Sequence, residues 1–412
     1  MTVRPSIATN GPTTVENADV TVVGGAGHVG IPLMLAFAEV GMRVNVNDYN
    51  QESLDALKAG RLPFIEYGAA VVLAKALAND RLAFSNSPDR ISASGPVIVT
   101  VGTPIDEFLN PDYQAVRDCV DAIVPALADG QLVVLRSTLF PGTTDWLAAH
   151  LKKKGRKLKV AFCPERVVQG YGLKELRELP QIVSGTTLEA EQEAAKLFER
   201  IAPEIVVLKP LEAELAKLFA NAYRYIEFAV TNEFYSVAKS AGVDYVRVLT
   251  AMKRNYPRLK NMPGPGYAAG PCLVKDTMQL SAFARNQFGL GHSALLINEG
   301  LVLHVVDEIK CRFDLANITI GLLGMAFKAE SDDTRASLSY KFKKVLSGQA
   351  HRILTTDPFV TTDPELIPLD ETIANSDLLI LCAPHAAYAQ ADFKGKPVFD
   401  VWGHIEGANV IR

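Results

Sequence analysis

Hydrophobic positions in the first half of the chain fall into short runs rich in β-branched residues, separated by longer stretches with helical spacing. The runs occupy residues 20–23, 43–46, 97–100, 131–135 and 160–162. Because strand-like runs alternate with helical segments from residue 19 to about residue 207, the pattern predicts a parallel sheet covered by helices.

The pattern changes at residue 210 and again near residue 317. Residues 210–315 carry no comparable strand signal, and residues 212–241 follow one long helical pattern that ends at Gly242. Strand-like runs then return at residues 318–323, 352–354, 378–381 and 397–399. The chain is therefore predicted to contain a loose tail, an α/β domain, a helical domain and a second α/β domain. The predicted boundaries are 1–18, 19–209, 210–315 and 316–412.

The length and composition are typical of a soluble protein with several domains. A chain of 412 residues is longer than one hydrophobic core normally organises. Hydrophobic residues make up 48% of the chain, charged residues make up 21%, and the formal net charge is -4. Because this balance provides no basic field, we expect no nucleic-acid partner.

Neither the amino-terminal segment nor any internal run indicates export or a membrane. Residues 1–18 are polar and are interrupted by Pro5, Gly11 and Pro12, unlike the apolar core of a signal peptide. No apolar run reaches the roughly 20 residues of a membrane span. The five cysteines are scattered, without the spacing of a disulfide framework or a zinc site. We therefore expect a cytoplasmic protein with free thiols, no metal and no membrane insertion.

A glycine-rich turn follows the first predicted strand. Residues 25–30 read Gly-Ala-Gly-His-Val-Gly and lead into an apolar helix, an arrangement in which the backbone can approach a dinucleotide pyrophosphate. Asp48 follows about 20 residues later, where a carboxylate accepts hydrogen bonds from the adenosine ribose and favours NAD over NADP. The alternative is that Asp48 is a turn residue. The residues predicted to bind the cofactor are Gly25, Gly27, His28, Val29, Gly30 and Asp48.

Cys272 is the candidate nucleophile. It precedes Asp276 by four residues, and Lys217 precedes Asn221 at the same spacing, so each pair shares a face if its segment is helical. A thiol needs a positive neighbour to ionise near neutral pH, and Lys217 or Lys275 can supply it. A hydride acceptor combined with a cysteine nucleophile indicates that an aldehyde is captured and oxidised to an acid. The alternative is that Cys272 is a small buried hydrophobic residue and Lys217 a surface lysine.

Several segments together carry a resemblance that covers nearly the whole chain past the tail. They read Leu-Ala-Lys-Leu-Phe-Ala-Asn-Ala at 215–222, Asn-Glu at 232–233, Gly-Pro-Cys-Leu-Val-Lys-Asp at 270–276, Gly-Met-Ala-Phe-Lys at 324–328 and Asp-Thr-Arg at 333–335. In this order they resemble the UDP-glucose/GDP-mannose dehydrogenase family. The resemblance implies the α/β fold class, with two Rossmann-like domains of mainly parallel sheets joined by a long central helix and a helical dimerisation region. It also implies NAD on the first domain, a UDP-sugar on the last, and a homodimer, with higher homo-oligomers left open.

The resemblance also implies roles for individual residues. It makes Cys272 the nucleophile, and the catalytic residues it implies around the reacting carbon are Lys217, Asn221, Asp276, Thr138 and Glu165. To the cofactor contacts it adds Thr103, Thr138, Lys275 and Arg335. For the substrate it implies Glu165, Arg166, Val167, Lys217, Asn221, Arg258, Tyr267, Gly270, Phe327 and Lys328. Arg258 matches an arginine that some members deliver from the partner subunit, and the alternative for Thr103 and Thr138 is capping of a helix or turn.

The choice of sugar depends on fewer residues. Gln169 stands where UDP-glucose dehydrogenases have glutamate, and residues 164–183 and 256–258 look more like members that act on UDP-N-acetylhexosamines. We therefore predict NAD-dependent four-electron oxidation of the C6 hydroxyl of UDP-GlcNAc or UDP-ManNAc to the uronic acid, through a thiohemiacetal and a thioester on Cys272. The alternatives are a UDP-glucose 6-dehydrogenase, a two-electron dehydrogenase of the hydroxyacid or 6-phosphogluconate type, and a nucleotide-sugar sensor without catalysis.

Overall fold

The structure of the protein is a computed structural model that describes residues 13–102, 104, 106, 111–112 and 114–412. The described chain divides into two compact units, the first ending at Leu218 and the second comprising Phe219–Arg412. One long helix, Pro210–Ser240, contributes residues to both units. Each unit is built around a sheet of its own.

The described residues of the first unit form an eight-stranded sheet. Its strands are β1 Val20–Val23, β2 Val44–Asn47, β3 Leu82–Ser85, β4 Val97–Val99, β5 Leu132–Leu135, β6 Lys159–Phe162, β7 Gln181–Gly185 and β8 Ile205–Val207. The spatial order is β3-β2-β1-β4-β5-β6-β7-β8. Every neighbouring pair is parallel except β6 and β7, which are antiparallel. Strands β2 and β3 therefore lie on one side of β1, and the strands from β4 onwards lie on its other side. Open α/β sheets bind ligands at such a switch point in strand order.

Helices cover both faces of this sheet, so its central strands are buried on both sides, including β2 with its alternating sequence Val-Asn-Val-Asn. All four residues of β1, β2 and β5 are buried, as is usual for parallel strands with helices on each side. The first helix, α1, is almost wholly apolar, and nine of its ten residues are buried. The helices of this unit are α1 Gly30–Glu39, α2 Gln51–Lys58, α3 Ala69–Ala78, α4 Gln114–Ile123, α5 Thr143–Lys153, α6 Gly172–Glu178, α7 Leu188–Phe198 and the start of α8 Pro210–Ser240.

The second unit joins a helical part to a smaller parallel sheet. Its strands, as far as the structure describes them, are β9 Thr319–Leu323, β10 Arg352–Thr356, β11 Leu378–Leu381, β12 Val398–Phe399 and β13 Val410–Ile411, in the order β10-β9-β11-β12-β13. Besides the end of α8, its helices are α9 Tyr245–Lys253, α10 Leu273–Phe283, α11 Gly289–Lys310, α12 Leu338–Leu346 and α13 Leu369–Asn375. Short 3-10 turns lie at Val124–Ala126, Pro257–Leu259, Leu315–Asn317 and Ala386–Gln390.

Helix α11 is the one described helix that is long and apolar enough to cross a membrane by length and composition alone. Its inward face nevertheless packs in the hydrophobic core of the second unit through Leu301, Val302, Val305 and Val306. Burial of these side chains accounts for the apolar composition of α11, as for a core helix of any protein of this size.

The predicted α/β architecture of two mainly parallel sheets joined by a long central helix is confirmed. The boundaries of individual elements differ by one or two residues: the helix predicted at 212–241 is Pro210–Ser240, and the strand predicted at 43–46 is Val44–Asn47. The helical dimerisation region stays a prediction, because the structure contains a single chain.

Candidate active site

The glycine-rich turn lies between β1 and the start of α1. A Cβ atom on Gly30 would lie 2.4 Å from the carbonyl oxygen of Gly24, and one on Gly25 would lie 2.8 Å from that of Val22. Only glycines therefore allow the turn to close tightly enough for helix α1 to begin directly above the strand. The amino terminus of α1, with Val29 at its N-cap, is left facing the turn, as a bound pyrophosphate requires.

Asp48 follows β2 and contacts the turn. Its Oδ2 accepts a hydrogen bond from Ala26 N at 3.0 Å, and its Oδ1 accepts one from Asn50 N at 2.9 Å. Each carboxylate oxygen has a second acceptor position, so these bonds leave room for ribose hydroxyls. The turn and Asp48 together fit an NAD molecule. Gly27 and His28 complete the loop, and the His28 ring packs on Phe64 at 3.9 Å between centroids.

Thr138 and Glu165 lie after neighbouring strands, β5 and β6, at the carboxyl edge of the first sheet. Both are buried, with 9% and 7% of their surface exposed. Glu165 Oε1 accepts from the backbone N–H groups of Arg166 at 2.7 Å and Val167 at 2.9 Å. Its Oε2 accepts from Nη2 of Arg136 at 2.6 Å. The carboxylate of Glu165 is therefore held in one orientation.

Two other candidate residues of the first unit, Arg166 and Lys217, are partly buried. The guanidinium of Arg166 donates to the carbonyl oxygen of Pro180, and burial lowers the pKa of Arg166 while the charge of Glu165 raises it. Lys217 is half-buried on α8. Thr103, a predicted cofactor contact, lies outside the described residues.

The start of helix α5 shows that Thr138 does not cap it. The N-cap of α5 is Gly142. The carboxylate of Glu214, on α8, accepts hydrogen bonds from two backbone N–H groups at the start of α5. Gly142 N and Thr144 N donate to the Glu214 carboxylate at 2.6 and 2.8 Å. Burial raises the pKa of Glu214, opposed by these hydrogen bonds. Glu214 was missed from the sequence because its partners lie about 70 residues away along the chain, a separation the hydrogen bond itself records.

In the second unit, Cys272 occupies the N-cap position of α10, so it precedes that helix rather than lying within it. Its side chain is exposed, and its carbonyl oxygen accepts from Asp276 N at 2.9 Å. Two other cysteines have a different environment, since burial raises the pKa of the partly buried Cys119 to about 11 and that of the buried Cys163 to about 12. An exposed thiol at a helix amino terminus is the position that favours a thiolate.

Asp276 accepts hydrogen bonds from two polar residues near Cys272. It is fully buried on the first turn of α10, and its Oδ2 accepts from Nδ2 of Asn221 at 2.6 Å. Its Oδ1 accepts from Nζ of Lys275 at the same distance. The structure thus brings together Asn221, Lys275 and Asp276 beside Cys272. Lys275 is engaged by this carboxylate, which limits it as the positive neighbour of the thiol.

Arg335 supplies a positive charge near Cys272 that sequence spacing did not reveal. Its guanidinium donates to both carboxylate oxygens of Asp333, at 2.7 to 3.0 Å. Hydrogen bonding to Asp333 raises the pKa of Arg335, and the nearby charge of Cys272 raises it further. Because this influence is mutual, the Arg335 charge favours the thiolate form of Cys272, although Asp333 engages Arg335 as Asp276 engages Lys275.

The loop that carries Lys328 packs directly on the loop that carries Cys272. Gly270 has φ +103°, and a Cβ atom on it would lie 2.6 Å from Cδ2 of Phe327. Gly270 N also donates to the carbonyl oxygen of Ala336 at 3.3 Å. Lys328 Nζ lies 5.9 Å from the centre of the Phe327 ring. Four residues predicted around the substrate, Gly270, Cys272, Phe327 and Lys328, therefore belong to one surface of the second unit.

Tyr267 and Arg258, both predicted to bind the substrate, differ in their exposure. Tyr267 is only 3% exposed, and its ring packs edge-on against Phe342 at 4.9 Å and Trp402 at 5.7 Å. The ring is a core side chain, and the predicted substrate contact of Tyr267 stays a prediction. Arg258 is exposed in the turn after α9, and Nη1 donates to the hydroxyl of Tyr256 at 3.2 Å.

A turn after β9 has the same kind of support as the glycine-rich turn, because an aspartate carboxylate accepts hydrogen bonds from its backbone N–H groups. This turn was not predicted from the sequence. Oδ2 of Asp357, which follows β10, accepts from Met325 N at 2.6 Å and Ala326 N at 3.0 Å. Buried His385 contacts the same oxygen through Nε2 at 3.1 Å, while its Nδ1 accepts from Glu330 N at 3.0 Å. Because Nδ1 accepts, the ring proton lies on Nε2 and is donated to Asp357. Burial raises the pKa of Asp357, but the hydrogen bonds from His385 and from the backbone outweigh it, so the pKa is lowered.

Comparison with known proteins accounts for this arrangement. Models of the UDP-glucose/GDP-mannose dehydrogenase family match three consecutive parts of the chain: the NAD binding domain at 18–202, the central domain at 211–299 and the UDP binding domain at 321–407. A UDP-N-acetyl-D-mannosamine dehydrogenase of Methanococcus maripaludis is 30% identical over 93% of this chain and 92% of its own.

Solved structures agree with the family models. A UDP-D-ManNAc dehydrogenase from Pyrococcus horikoshii superimposes with a TM-score of 0.88 and 26% identity, covering 94% of this chain and 96% of its own. A UDP-glucose dehydrogenase from Pyrobaculum islandicum gives 0.87 and 26%, covering 96% and 97%.

An NAD-binding sheet, a central helical part and a UDP-binding sheet in one chain define an NAD-dependent UDP-sugar dehydrogenase, an oxidoreductase. The chain belongs to the UDP-glucose/GDP-mannose dehydrogenase family. The family, the enzyme class and the NAD cofactor predicted from the sequence are confirmed.

Proposed function

We propose that the protein oxidises the C6 hydroxyl of a UDP-N-acetylhexosamine, UDP-ManNAc or UDP-GlcNAc, to the uronic acid by a four-electron reaction through Cys272. The observation that carries the proposal is the exposed thiol at the start of α10, with Arg335 as a nearby positive charge and the Asn221–Asp276 pair beside it. The substrate class is supported by the M. maripaludis and P. horikoshii relatives, whose names specify N-acetylmannosamine.

In the first oxidation, Lys217 or a water that it orders removes the proton of the C6 hydroxyl. Bound NAD supplies the hydride acceptor for both oxidations. The Gly25–Gly30 turn holds the cofactor pyrophosphate, and Asp48 holds its adenosine ribose. The aldehyde that forms stays bound.

The Cys272 thiolate then adds to the aldehyde carbon and forms a thiohemiacetal, whose second oxidation yields a thioester. Asn221 and Lys217 stabilise the oxyanion at each tetrahedral stage. One amide hydrogen of Asn221 is donated to Asp276, which orients the other toward the substrate. Covalent attachment in this scheme prevents release of the reactive aldehyde.

Hydrolysis of the thioester completes the reaction. Water adds to C6, the C6–sulfur bond breaks, and the uronic acid leaves as its carboxylate. Thr138, Glu165 and Asp276 hold this water in the proposed scheme. Of these, Asp276 already accepts hydrogen bonds from Lys275 and Asn221, so its part is to keep Asn221 in place as well.

The test is NADH formation with UDP-ManNAc, UDP-GlcNAc, UDP-glucose and GDP-mannose measured side by side, with product quantified by chromatography. We expect two NADH per sugar and the highest kcat/KM with a UDP-N-acetylhexosamine. One NADH per product would support the two-electron alternative. Cys272→Ser is expected to stop acid formation, with Cys311→Ser as the matched control because Cys311 is also exposed. Acid production by Cys272→Ser at the wild-type rate would exclude the covalent scheme.

UDP-glucose is the second candidate substrate. The UDP-glucose dehydrogenase of P. islandicum superimposes nearly as well as the P. horikoshii enzyme, with TM-scores of 0.87 and 0.88. Gln169, the residue that argues against UDP-glucose, donates through Nε2 to Nδ1 of His28 at 3.1 Å in one assignment of the histidine tautomer. A kcat/KM for UDP-glucose above that of both acetylated sugars would establish this alternative.

We also propose that the protein is a homodimer through α8. Exposed apolar residues recur along this helix at heptad-like spacing, which favours packing against another helix. They are Phe219, Tyr223, Val230, Phe234 and Val237. Tyr225 and Ala229, on the other side, pack within the second unit itself. Val237→Asp is expected to give monomers by light scattering after gel filtration, whereas an unchanged dimer mass would place the interface elsewhere.

A further inference from the structure

The buried arginine that follows β5 has no part in the steps proposed above. Arg136 is 1% exposed, and its guanidinium contacts the loop that follows β6. Nη1 donates to the carbonyl oxygen of Cys163 at 3.0 Å and to Oε1 of Gln181 at 2.5 Å. Nη2 donates to Oε2 of Glu165 at 2.6 Å. One side chain therefore holds both the backbone and the carboxylate of the same loop.

The hydrogen bonds to Glu165 leave its carboxylate with one direction for a further donor. A carboxylate has about four acceptor positions, two on each oxygen. Within the described part of the chain, Oε1 accepts from Arg166 N and Val167 N, and Oε2 accepts from Arg136. The remaining position is on Oε2, the oxygen that Arg136 holds. Arg136 thus determines where Glu165 can accept a hydrogen bond from water.

Stability alone does not explain this charged pair. The side chains of Arg136 and Glu165 are 1% and 9% exposed, and an apolar pair of similar volume commonly stabilises a fold as well or better. The surroundings are partly apolar, since the Phe198 ring lies 5.0 Å from Cζ of Arg136. The pair also lies at the carboxyl edge of the sheet, where ligands bind. A role in orienting the carboxylate accounts for both its burial and its place.

We propose that Arg136 is a positioning residue for thioester hydrolysis, acting through Oε2 of Glu165; the inference depends on the proposed covalent function. The water held on Oε2 adds its oxygen to C6, and the C6–sulfur bond breaks with its electron pair on the sulfur of Cys272. One water proton ends on that sulfur, and the other is released as the product acid ionises. No electrons leave the substrate in this step, so no further NAD is required.

The first test is Arg136→Lys, which keeps a positive charge but lacks the planar fork that reaches several acceptors at once. With UDP-ManNAc and NAD, the rate of NADH formation gives kcat and KM, and mass spectrometry of acid-quenched protein gives the fraction of Cys272 carrying the acyl adduct. We expect kcat to fall about tenfold to a hundredfold, because a misplaced group loses much of its effect. The adduct is expected to accumulate, and KM is expected to fall together with kcat, because enzyme held as the covalent adduct cannot bind a new substrate molecule.

Arg43→Lys is the matched control. Arg43 donates to Asp19 from a similar fork in the same unit, at 2.7 Å, but it lies before β2, at the opposite edge of the sheet. It is expected to keep the wild-type kcat and adduct level. The proposal would be overturned if folded Arg136→Lys enzyme kept the wild-type kcat. It would also be overturned if the first burst of NADH slowed as much as steady-state turnover and no Cys272 adduct accumulated.

A double variant keeps the test decisive if Arg136→Lys does not fold. Arg136→Met with Glu165→Gln removes both charges, so no unpaired charge stays buried. If Arg136 acts through Glu165, the double variant hydrolyses the thioester within about twofold of Glu165→Gln alone. If the double variant hydrolyses the thioester much more slowly than Glu165→Gln alone, Arg136 acts independently of Glu165. Wild-type product formation by Glu165→Gln, with no Cys272 adduct, would show that hydrolysis does not need Glu165 and would overturn the role of Arg136. Acid production by Cys272→Ser would instead refute the proposed covalent function.

Discussion

Gly270→Ala tests whether the close packing of the Cys272 loop on Phe327 is needed for stability. Gly270 has φ +103°, where a residue with a side chain is strained by about 1–3 kcal/mol. The new Cβ atom would also lie 2.6 Å from Cδ2 of Phe327, and overpacking of this kind costs about 1–3 kcal/mol. Together the two effects predict a loss of about 2–6 kcal/mol in the free energy of unfolding of the second unit.

The assay is thermal unfolding followed by circular dichroism, with catalytic turnover measured on the same sample. For a domain of this size, each kcal/mol lowers the melting temperature by about 2–4 °C, so a mid-range loss of about 4 kcal/mol predicts a decrease of about 8–16 °C. Activity should fall as well, because the Phe327 ring must move away from the loop that carries Cys272.

Gly289→Ala is the control, since a Cβ atom on Gly289 meets nothing within 4 Å and the residue begins helix α11. It should leave the melting temperature unchanged or slightly raised, because alanine favours a helix over glycine by up to about 1 kcal/mol. A melting temperature of Gly270→Ala within about 1 °C of the wild type, a shift smaller than any of these effects predicts, would show that the close packing of the Cys272 loop on Phe327 is not needed for stability.

Three further predictions concern buried carboxylates. Asp276→Asn should lower the urea midpoint by an amount equivalent to about 1–3 kcal/mol, because Lys275 loses the partner of its charge; an unchanged midpoint would contradict this. The pKa of Asp357 is lowered, so its contribution to stability is complete above the ordinary value of 3.8 and is lost as the pH falls through the folded value. Acid unfolding of Asp357→Asn should therefore show a weaker pH dependence below about pH 4, and an identical acid profile would exclude this role. Glu214→Ala should cost about 1–2 kcal/mol by removing the acceptor at the start of α5, and Glu214→Gln less, as measured by chemical denaturation.

The pattern of apolar residues predicted β1, β4 and β5, which are buried on both faces, and missed two strands of mixed composition, β3 and β7. β1, β4 and β5 are runs of valine, isoleucine and leucine with little else, so each is recognisable alone. Strands β3, with the sequence Leu-Ala-Phe-Ser, and β7, with Gln-Ile-Val-Ser-Gly, were not predicted. Their polar residues face partners elsewhere in the chain, as when Ser184 donates to the Phe162 carbonyl, and such pairing leaves no local signal.

The site divides in the same way. Cys272, Asp276 and Asn221 were identified because their spacing and motifs are local, and the structure brings the last two within 2.6 Å. Arg335 was predicted as a cofactor contact, but its influence on Cys272 joins residues that are far apart in sequence. Arg136, Asp357 and His385 were missed for the same reason. A repeated signal could have found Asp357, since an aspartate follows the second strand of both sheets.

That repeated aspartate has a consequence for attempts to change the cofactor. Asp48 both faces the expected ribose and secures the backbone amide of Ala26, so replacing it to admit the extra phosphate of NADP would also loosen the turn. Relaxed cofactor choice would therefore come with weaker dinucleotide affinity unless a second substitution supplied a new acceptor for that amide. Redesign of this enzyme for NADP is a two-site problem, and libraries that vary position 48 alone should yield only poor binders of either coenzyme.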